Sequence, residues 1–193
     1  VPLRYRGLPA CELQRALAVH PEIGRSRVRT VYMGGGTPAL LGADGIRRLV
    51  EAVGAIAPLD AVEEWTVELN PASATAELLR ALAALGVNRV SIGVQSFCDD
   101  TLARIGRRHT AEAARRAVRL AQDAGFDNTG IDLIAGLPGV GEAEWCDTLA
   151  QALALDLAHL SVYALSLEPG TVLARQAEAG KLSVPGDDAQ LAA

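Results

Sequence analysis

Polar side chains stand in or directly after three predicted strands. Glu68 lies in the run VELNP, Gln95 in SIGVQSF and Asp132 in GIDLIAG. An ionised carboxylate accepts hydrogen bonds and donates none, so either acid suits a ribose hydroxyl or an amine. Asp132 lies between Ile131 and Leu133, where an unpaired acid would be costly to bury. That cost favours a function for Asp132, whereas an ion pair with an arginine explains Glu68 equally well and a scaffold hydrogen bond explains Gln95.

A glycine-rich joint follows the first predicted strand and precedes a helix. Residues 34–38 read GGGTP, and consecutive glycines leave backbone amides and carbonyls open to a ligand. The joint lacks the G-x-G-x-x-G spacing of dinucleotide-binding loops and the Gly-Lys-Ser/Thr ending of a P-loop. Taken alone, it is explained more simply as a tight turn between a strand and a helix.

Two further polar residues are candidates for ligand contacts. Arg107 follows Gly106 at a predicted helix break, and its guanidinium could bind a carboxylate through two parallel hydrogen bonds. Ser166 ends the fifth predicted strand, in HLSVYALSLEPGT. No Ser-His-acid or Cys-His arrangement is legible. His109 is predicted to be a capping or surface residue, and His159 to be structural.

The elements that position these residues alternate regularly from residue 28 onward. Strands are predicted over 28–33, 65–69, 87–94, 129–135 and 159–165. Helices follow each of them, over 43–56, from an N-cap at Ser73 or Thr75 to Gly86, and over 110–124, 142–155 and 171–179. This alternation predicts an α/β fold with a parallel sheet and right-handed crossovers. The sheet is either doubly wound or part of a barrel of the triosephosphate-isomerase kind, and both place functional residues at strand ends.

Composition narrows the class of protein. The chain has 193 residues, a formal charge of −5 and 50% hydrophobic residues, of which few are aromatic. The negative charge argues against non-specific nucleic-acid binding. No apolar run reaches the length of a membrane span and no signal-peptide pattern begins the chain, so a cytoplasmic protein is predicted. Cys11, Cys98 and Cys146 are far apart and are predicted to be reduced, buried thiols.

Six segments in their order and spacing resemble a known family. GGGTPALL, VELNP, SIGVQSF, GRRHT, IDLIAGLPG and HLSVYALSLEPGT are similar to the oxygen-independent coproporphyrinogen III oxidase-like radical SAM proteins, and most similar to the HemW-type heme chaperone subgroup. The resemblance covers residues 28–186 or thereabouts. It implies a partial (β/α)6 barrel of the radical SAM type.

The resemblance also implies ligands and the residues that bind them. The family binds S-adenosylmethionine against a [4Fe–4S] cluster and cleaves it reductively to a 5′-deoxyadenosyl radical. Heme or a porphyrin is implied as a further ligand, and an electron-donor protein as a partner. The positions that match S-adenosylmethionine contacts of the family are Gly35, Gly36, Thr37, Glu68, Gln95, Arg107, Asp132 and Ser166.

One part of the family pattern is missing. The family holds its cluster with C-x3-C-x2-C upstream of the glycine joint, where this sequence has only Cys11. Three thiolates are needed to hold three irons. The sequence therefore predicts an incomplete core domain over 1–193. Residues 1–27 are its preceding helix region and 28–186 its barrel repeats, and the first strand, the cluster loop and the C-terminal domain are expected to be absent.

These observations leave several functions open. The leading interpretation is part of a heme chaperone, with anaerobic coproporphyrinogen dehydrogenation as an alternative. A protein that keeps the cleft but binds no cluster is another. The last is an unrelated barrel enzyme that uses Glu68 and Asp132 as acid and base. As written, the polypeptide is expected neither to bind the cluster nor to generate a radical.

Overall fold

Five strands form one parallel sheet. The computed structural model describes residues 8–22 and 27–184. The strands are β1 (Thr30–Met33), β2 (Glu64–Leu69), β3 (Arg89–Gln95), β4 (Asn128–Ala135) and β5 (His159–Ala164), and they are paired in that order. The helices are α1 (Leu8–Val19), α2 (Gly42–Gly54), α3 (Ala76–Ala84), α4 (Asp99–Arg104), α5 (Ala111–Asp123), α6 (Glu142–Leu153) and α7 (Val172–Glu178).

The strand order decides between the two predicted architectures. A doubly wound sheet reverses its strand order at a switch point. This sheet runs β1 to β5 without reversal, so right-handed crossovers place the helices on the same face, as in a barrel wall. The partial barrel is confirmed, and the doubly wound alternative is wrong. The predicted strand bounds differ from the observed ones by two residues at most, which is the usual uncertainty of element ends.

The predicted division of the chain falls partly beyond the described residues. α1 occupies the region predicted to precede the barrel repeats, and the repeats begin with β1. Residues 1–7, 23–26 and 185–193 lie outside the described part, and with them the predicted bounds at residues 1 and 186. The domain bounds therefore stay predictions.

The two faces of the sheet differ because successive strand residues point to opposite sides. One face carries buried apolar residues that pack with the helices in a single core: Trp65, Val67, Leu69, Val90, Ile92, Val94, Ile131 and Leu133. The other, which we call the inner face, carries Glu68, Ser91 and Asp132. Glu68 pairs in register with Ser91, and Asp132 with Ser161. Asp132 is only partly buried, so the inner face of its strand keeps some access to solvent.

Threonine side chains fix the starts of two helices. The Thr75 hydroxyl accepts a hydrogen bond from the Leu78 amide at 3.2 Å, and the Thr110 hydroxyl accepts one from the Ala113 amide at 3.1 Å. Each satisfies a backbone donor that the first helical turn leaves unpaired. Ser73, the alternative cap of α3, instead donates its hydroxyl proton to the Asn70 carbonyl.

The cysteines correct a prediction. Cys11 and Cys146 are exposed and Cys98 is partly buried, so the expectation of buried thiols is wrong. Cys146 lies on α6 next to the buried Trp145, and the helical turn of about 100° per residue directs it away from the core. Among the residues described, no helix is long and apolar enough to span a membrane.

Candidate functional site

A cleft of about 340 Å³ opens on the inner face, where the strands end. Six of the eight predicted site residues line it: Gly36, Thr37, Glu68, Gln95, Arg107 and Asp132. The inner-face residues Ser91, Gly93 and Tyr163 also line it. Parallel strands bring their carboxyl ends to one edge, which explains why residues so distant in sequence meet there.

Glu68 is held at both carboxylate oxygens. The Tyr32 hydroxyl donates to Oε1 at 2.6 Å, and the Gly35 amide donates to Oε2 at 3.1 Å. Among the described residues no arginine forms an ion pair with Glu68, so the alternative left open by the sequence is not found there. The hydrogen bond to Glu68 raises the pKa of Tyr32 to about 12, with a smaller contribution from burial. The carboxylate is thus fixed in direction before any ligand arrives.

The backbone of the glycine joint can approach the Glu68 carboxylate closely only because residue 34 is glycine. A Cβ atom on Gly34 would lie 2.6 Å from the Glu68 carboxyl carbon, which is shorter than any normal contact. Gly35 and Gly36 serve another purpose, because their φ values of +78° and +143° are rare for residues with side chains. A Cβ on either would meet nothing within 4 Å, so conformation rather than space explains them.

Gln95 has a strained backbone. Its φ of +70° is in the left-handed region, which glutamine seldom adopts. The Ser96 amide donates to the Val94 carbonyl at 2.9 Å, so residues 94–96 form a γ-turn of the rare kind with positive φ at its centre. A Cβ on Gly93 would lie 2.9 Å from Gln95 Nε2, so that glycine leaves room for the amide. Strain of this kind concentrates at functional sites.

Asp132 is oriented by a buried hydroxyl. Ser91 Oγ lies 3.1 Å from both carboxylate oxygens of Asp132 and donates its one proton to them. Because one proton cannot satisfy both oxygens, Asp132 keeps acceptor capacity toward the cleft. Sequence reasoning missed Ser91 and Tyr32. The alternation in SIGVQ places Ser91 on the same face as Gln95, and this pattern could have identified Ser91 as a residue of the site.

Arg107 and Ser166 differ in their position. Arg107 is exposed and lines the cleft, and its guanidinium makes no hydrogen bond or ion pair with the rest of the described chain. Its guanidinium is therefore available to an anionic ligand. Ser166 does not line the cleft, and its hydroxyl lies 3.3 Å from Glu168 Oε1. It follows the edge strand β5, beyond which the described residues place no further strand.

His109 corrects another prediction. Its side chain is not at the surface, since the residue is only 5% exposed, and its Nε2 lies 3.0 Å from the Val94 carbonyl. Burial lowers its pKa, and the nearby Arg107 charge adds to the effect, while the hydrogen bond to Val94 and the Asp99 charge oppose it. His159 enters β5 as expected, and its Cβ would lie 3.2 Å from a Cβ on Gly130, which is a tight contact.

The described residues hold no evident metal centre. Within 8–22 and 27–184, no group of three or more His, Cys, Asp and Glu side chains could hold a metal ion. The cleft presents the carboxylates of Glu68 and Asp132 together with the Gln95 amide and the Arg107 guanidinium.

Comparison with known proteins places the chain in a family. The Radical SAM superfamily matches residues 12–152. The heme chaperone HemW of Lactococcus lactis is 40% identical over 84% of this chain and 43% of its own length. The mitochondrial radical S-adenosyl methionine domain-containing protein 1 of Bos taurus is 39% identical over 97% of this chain and 43% of its own length. The chain thus spans less than half the length of these relatives.

Solved structures agree with the sequence relatives. The coproporphyrinogen III oxidase HemN of Escherichia coli superposes with a TM-score of 0.79 and 26% identity, over 99% of this chain and 44% of that one. The Elp3 protein of Methanocaldococcus infernus has a TM-score of 0.75 at 18% identity, over 92% and 46%, and shows the fold alone. The chain therefore belongs to the Radical SAM superfamily and is related in structure to HemN and in sequence to the HemW heme chaperones.

Proposed function

We propose that the cleft binds S-adenosylmethionine, and that the chain serves this role in a heme chaperone. The observation that carries the proposal is that acceptor carboxylates, the side-chain amide of Gln95 on its strained backbone and an unpaired guanidinium meet beside the glycine-rich backbone. The cleft volume of about 340 Å³ falls within the usual range of small-molecule sites. Membership of the superfamily excludes the unrelated acid–base enzyme considered from sequence.

The described residues fit the polar groups of this ligand. The free guanidinium of Arg107 would bind the methionine carboxylate through two hydrogen bonds. Glu68 and Asp132 would accept hydrogen bonds from the ammonium and the ribose hydroxyls, and the Gln95 amide can donate or accept. Gly35 and Gly36 would let the backbone approach the amino-acid end. Ser166 does not line the cleft, and its contact with S-adenosylmethionine stays a prediction.

The described residues do not provide the ligands that a [4Fe–4S] cluster needs. When bound, a [4Fe–4S] cluster supplies the electron for cleavage of S-adenosylmethionine. Such a cluster is held by a set of cysteine thiolates, and Cys11, Cys98 and Cys146 form no such group. We therefore assign no step through the cluster. We predict that this polypeptide does not assemble the cluster. Anaerobic reconstitution with iron and sulfide tests this prediction. Stoichiometric cluster absorbance would refute it.

Heme is the second ligand that we propose for the whole protein, with an electron-donor protein as partner and a cytoplasmic location. The HemW relatives at 36–40% identity support heme transfer. Coproporphyrinogen oxidation is the alternative, favoured by the match to HemN over 99% of the chain. Saturable hemin binding, followed by Soret absorbance, would support the heme chaperone. Anaerobic turnover of coproporphyrinogen III by the whole protein, loaded with its cluster, would support the oxidase alternative.

Two neighbouring arginines provide the test of the cleft itself. Arg107 lines the cleft, whereas the adjacent Arg108 is exposed and does not. We expect Arg107→Ala to weaken S-adenosylmethionine binding about tenfold to a hundredfold in calorimetric titration, because a charge-assisted hydrogen bond contributes about 1.5–3 kcal/mol. Arg108→Ala has the same change of charge and should leave affinity near the wild-type value. Equal effects of the two substitutions, or no binding by the wild type, would contradict the proposal.

A further inference from the structure

We propose that His109 is a positioning residue for the cleft, because its ring holds the strained turn that presents Gln95. The inference rests on the proposed function, in which Gln95 contacts S-adenosylmethionine. It concerns a residue outside the cleft, since His109 is buried and does not line it.

The turn at Gln95 needs support from elsewhere. Strained backbone persists only where its surroundings over-determine it. The strand register between β3 and β4 shifts between Gly93 and Gln95, so the regular ladder ends where the turn begins. The Ser96 amide donates one hydrogen bond to the Val94 carbonyl, and Ser96 Oγ accepts a hydrogen bond from the Cys98 amide at 3.1 Å.

The His109 ring supplies a second donor to the same carbonyl. The Val94 oxygen can only accept, so Nε2 at 3.0 Å carries the proton, and Nδ1 is the unprotonated nitrogen of the ring. Nδ1 is buried and has no hydrogen-bond partner among the described residues. An orphaned buried nitrogen is unfavourable, and an apolar side chain could fill the same space without it. The hydrogen bond from Nε2 is therefore what the imidazole contributes.

The same contact fixes the loop that carries Arg107. The Arg107 amide donates to the Leu102 carbonyl at 2.9 Å, and the Ala111 amide donates to Asp99 Oδ1 at 2.7 Å. His109 lies between these two anchors and ties their loop to the end of β3. One imidazole thereby links the elements that bear both Gln95 and Arg107.

Matched substitutions separate the hydrogen bond from the packing. In His109→Gln the side-chain amide can place a donor near the position of Nε2, whereas in His109→Asn the donor is too short to reach Val94. His109→Phe fills the ring volume without a donor. We expect His109→Asn and His109→Phe to weaken S-adenosylmethionine binding about tenfold and His109→Gln to restore most of it. Circular dichroism establishes which variants are folded, and one folded donorless variant suffices.

Two further readouts identify the route of the effect. If His109 acts through Gln95, the loss caused by the donorless variant shrinks at least threefold in a Gln95→Gly background. Hydrogen exchange of the Ser96 amide should accelerate about tenfold in the donorless variant and remain slow in His109→Gln. An equal loss of affinity in both backgrounds, or unchanged Ser96 exchange, would overturn the inference. If the wild type binds no S-adenosylmethionine, the proposed function fails, and Ser96 exchange still decides whether His109 holds the turn.

Discussion

Replacement of Gly34 by alanine tests how closely the backbone must approach Glu68. The new Cβ would lie 2.6 Å from the Glu68 carboxyl carbon, whereas an ordinary contact begins at 3.4 Å. The carboxylate must therefore withdraw, and it cannot keep both the 2.6 Å bond from Tyr32 and the 3.1 Å bond from the Gly35 amide. The atoms displaced are the end of a flexible side chain, so the fold should survive.

The size of the effect follows from these two hydrogen bonds. Bonds to a charged group contribute about 1.5–3 kcal/mol each when buried, and water replaces part of that loss because this site is open. A net cost of about 1.4 kcal/mol in ligand binding is expected, which is about tenfold in the dissociation constant of S-adenosylmethionine. Isothermal titration calorimetry measures the affinity, and thermal unfolding shows whether the variant is folded.

Gly54→Ala is the matched control for this substitution. A Cβ on Gly54, at the end of α2, would lie 3.7 Å from Leu59 Cδ1, an ordinary contact. The same chemical change far from the cleft should leave affinity unchanged. If Gly34→Ala is folded and binds S-adenosylmethionine as tightly as the wild type, Glu68 does not need its observed position, and the account of the glycine joint is wrong.

Three further predictions follow from single contacts. The pKa of Tyr32 is raised to about 12 in the fold, so the stability that its bond to Glu68 provides is present below pH 10 and lost as pH rises through about 12. Ultraviolet absorbance should show a late tyrosine titration that is lost in Tyr32→Phe, and a titration unchanged by that substitution would contradict the bond. Gln95→Gly relieves backbone strain, so it should raise the free energy of unfolding by about 1 kcal/mol while it weakens ligand binding. Denaturant unfolding measures the stability, and a fall would show that the turn is not strained. Thr110→Ala removes the cap of α5 and should cost about 1 kcal/mol, or about 2–4 °C in melting temperature, whereas an unchanged melting temperature would show that the cap contributes little.

Local patterns predicted the elements and several of the residues that line the cleft. Apolar runs indicated the strands, and Asp132 was singled out because an unpaired acid between buried neighbours is costly. The helix predicted from residue 110 does start at that position, where Thr110 caps α5. These features depend on residues close together in sequence.

Contacts between distant residues were beyond the sequence pattern. The Tyr32–Glu68 bond joins residues on two strands and depends on their pairing register. Gln95 adopts a positive φ although glutamine carries no signal for it, and His109 is buried because its loop folds back on Val94. The cysteines were mispredicted because residue type suggested burial, while helix orientation decides it.

The site between α3 and α5 offers a contrasting surface for the decisive experiment. A cavity of about 460 Å³ lies there, on the helical side of the sheet, and includes Thr75 and Arg116. It is larger than the cleft but does not gather the polar residues that fit the proposed ligand. The measurement that tests the central claim most directly is a titration of the isotope-labelled chain with S-adenosylmethionine, followed by amide NMR. The account predicts saturable shifts at Gly35, Gly36 and Gln95. Shifts confined to the cavity between the helices, or no shifts at all, would contradict it.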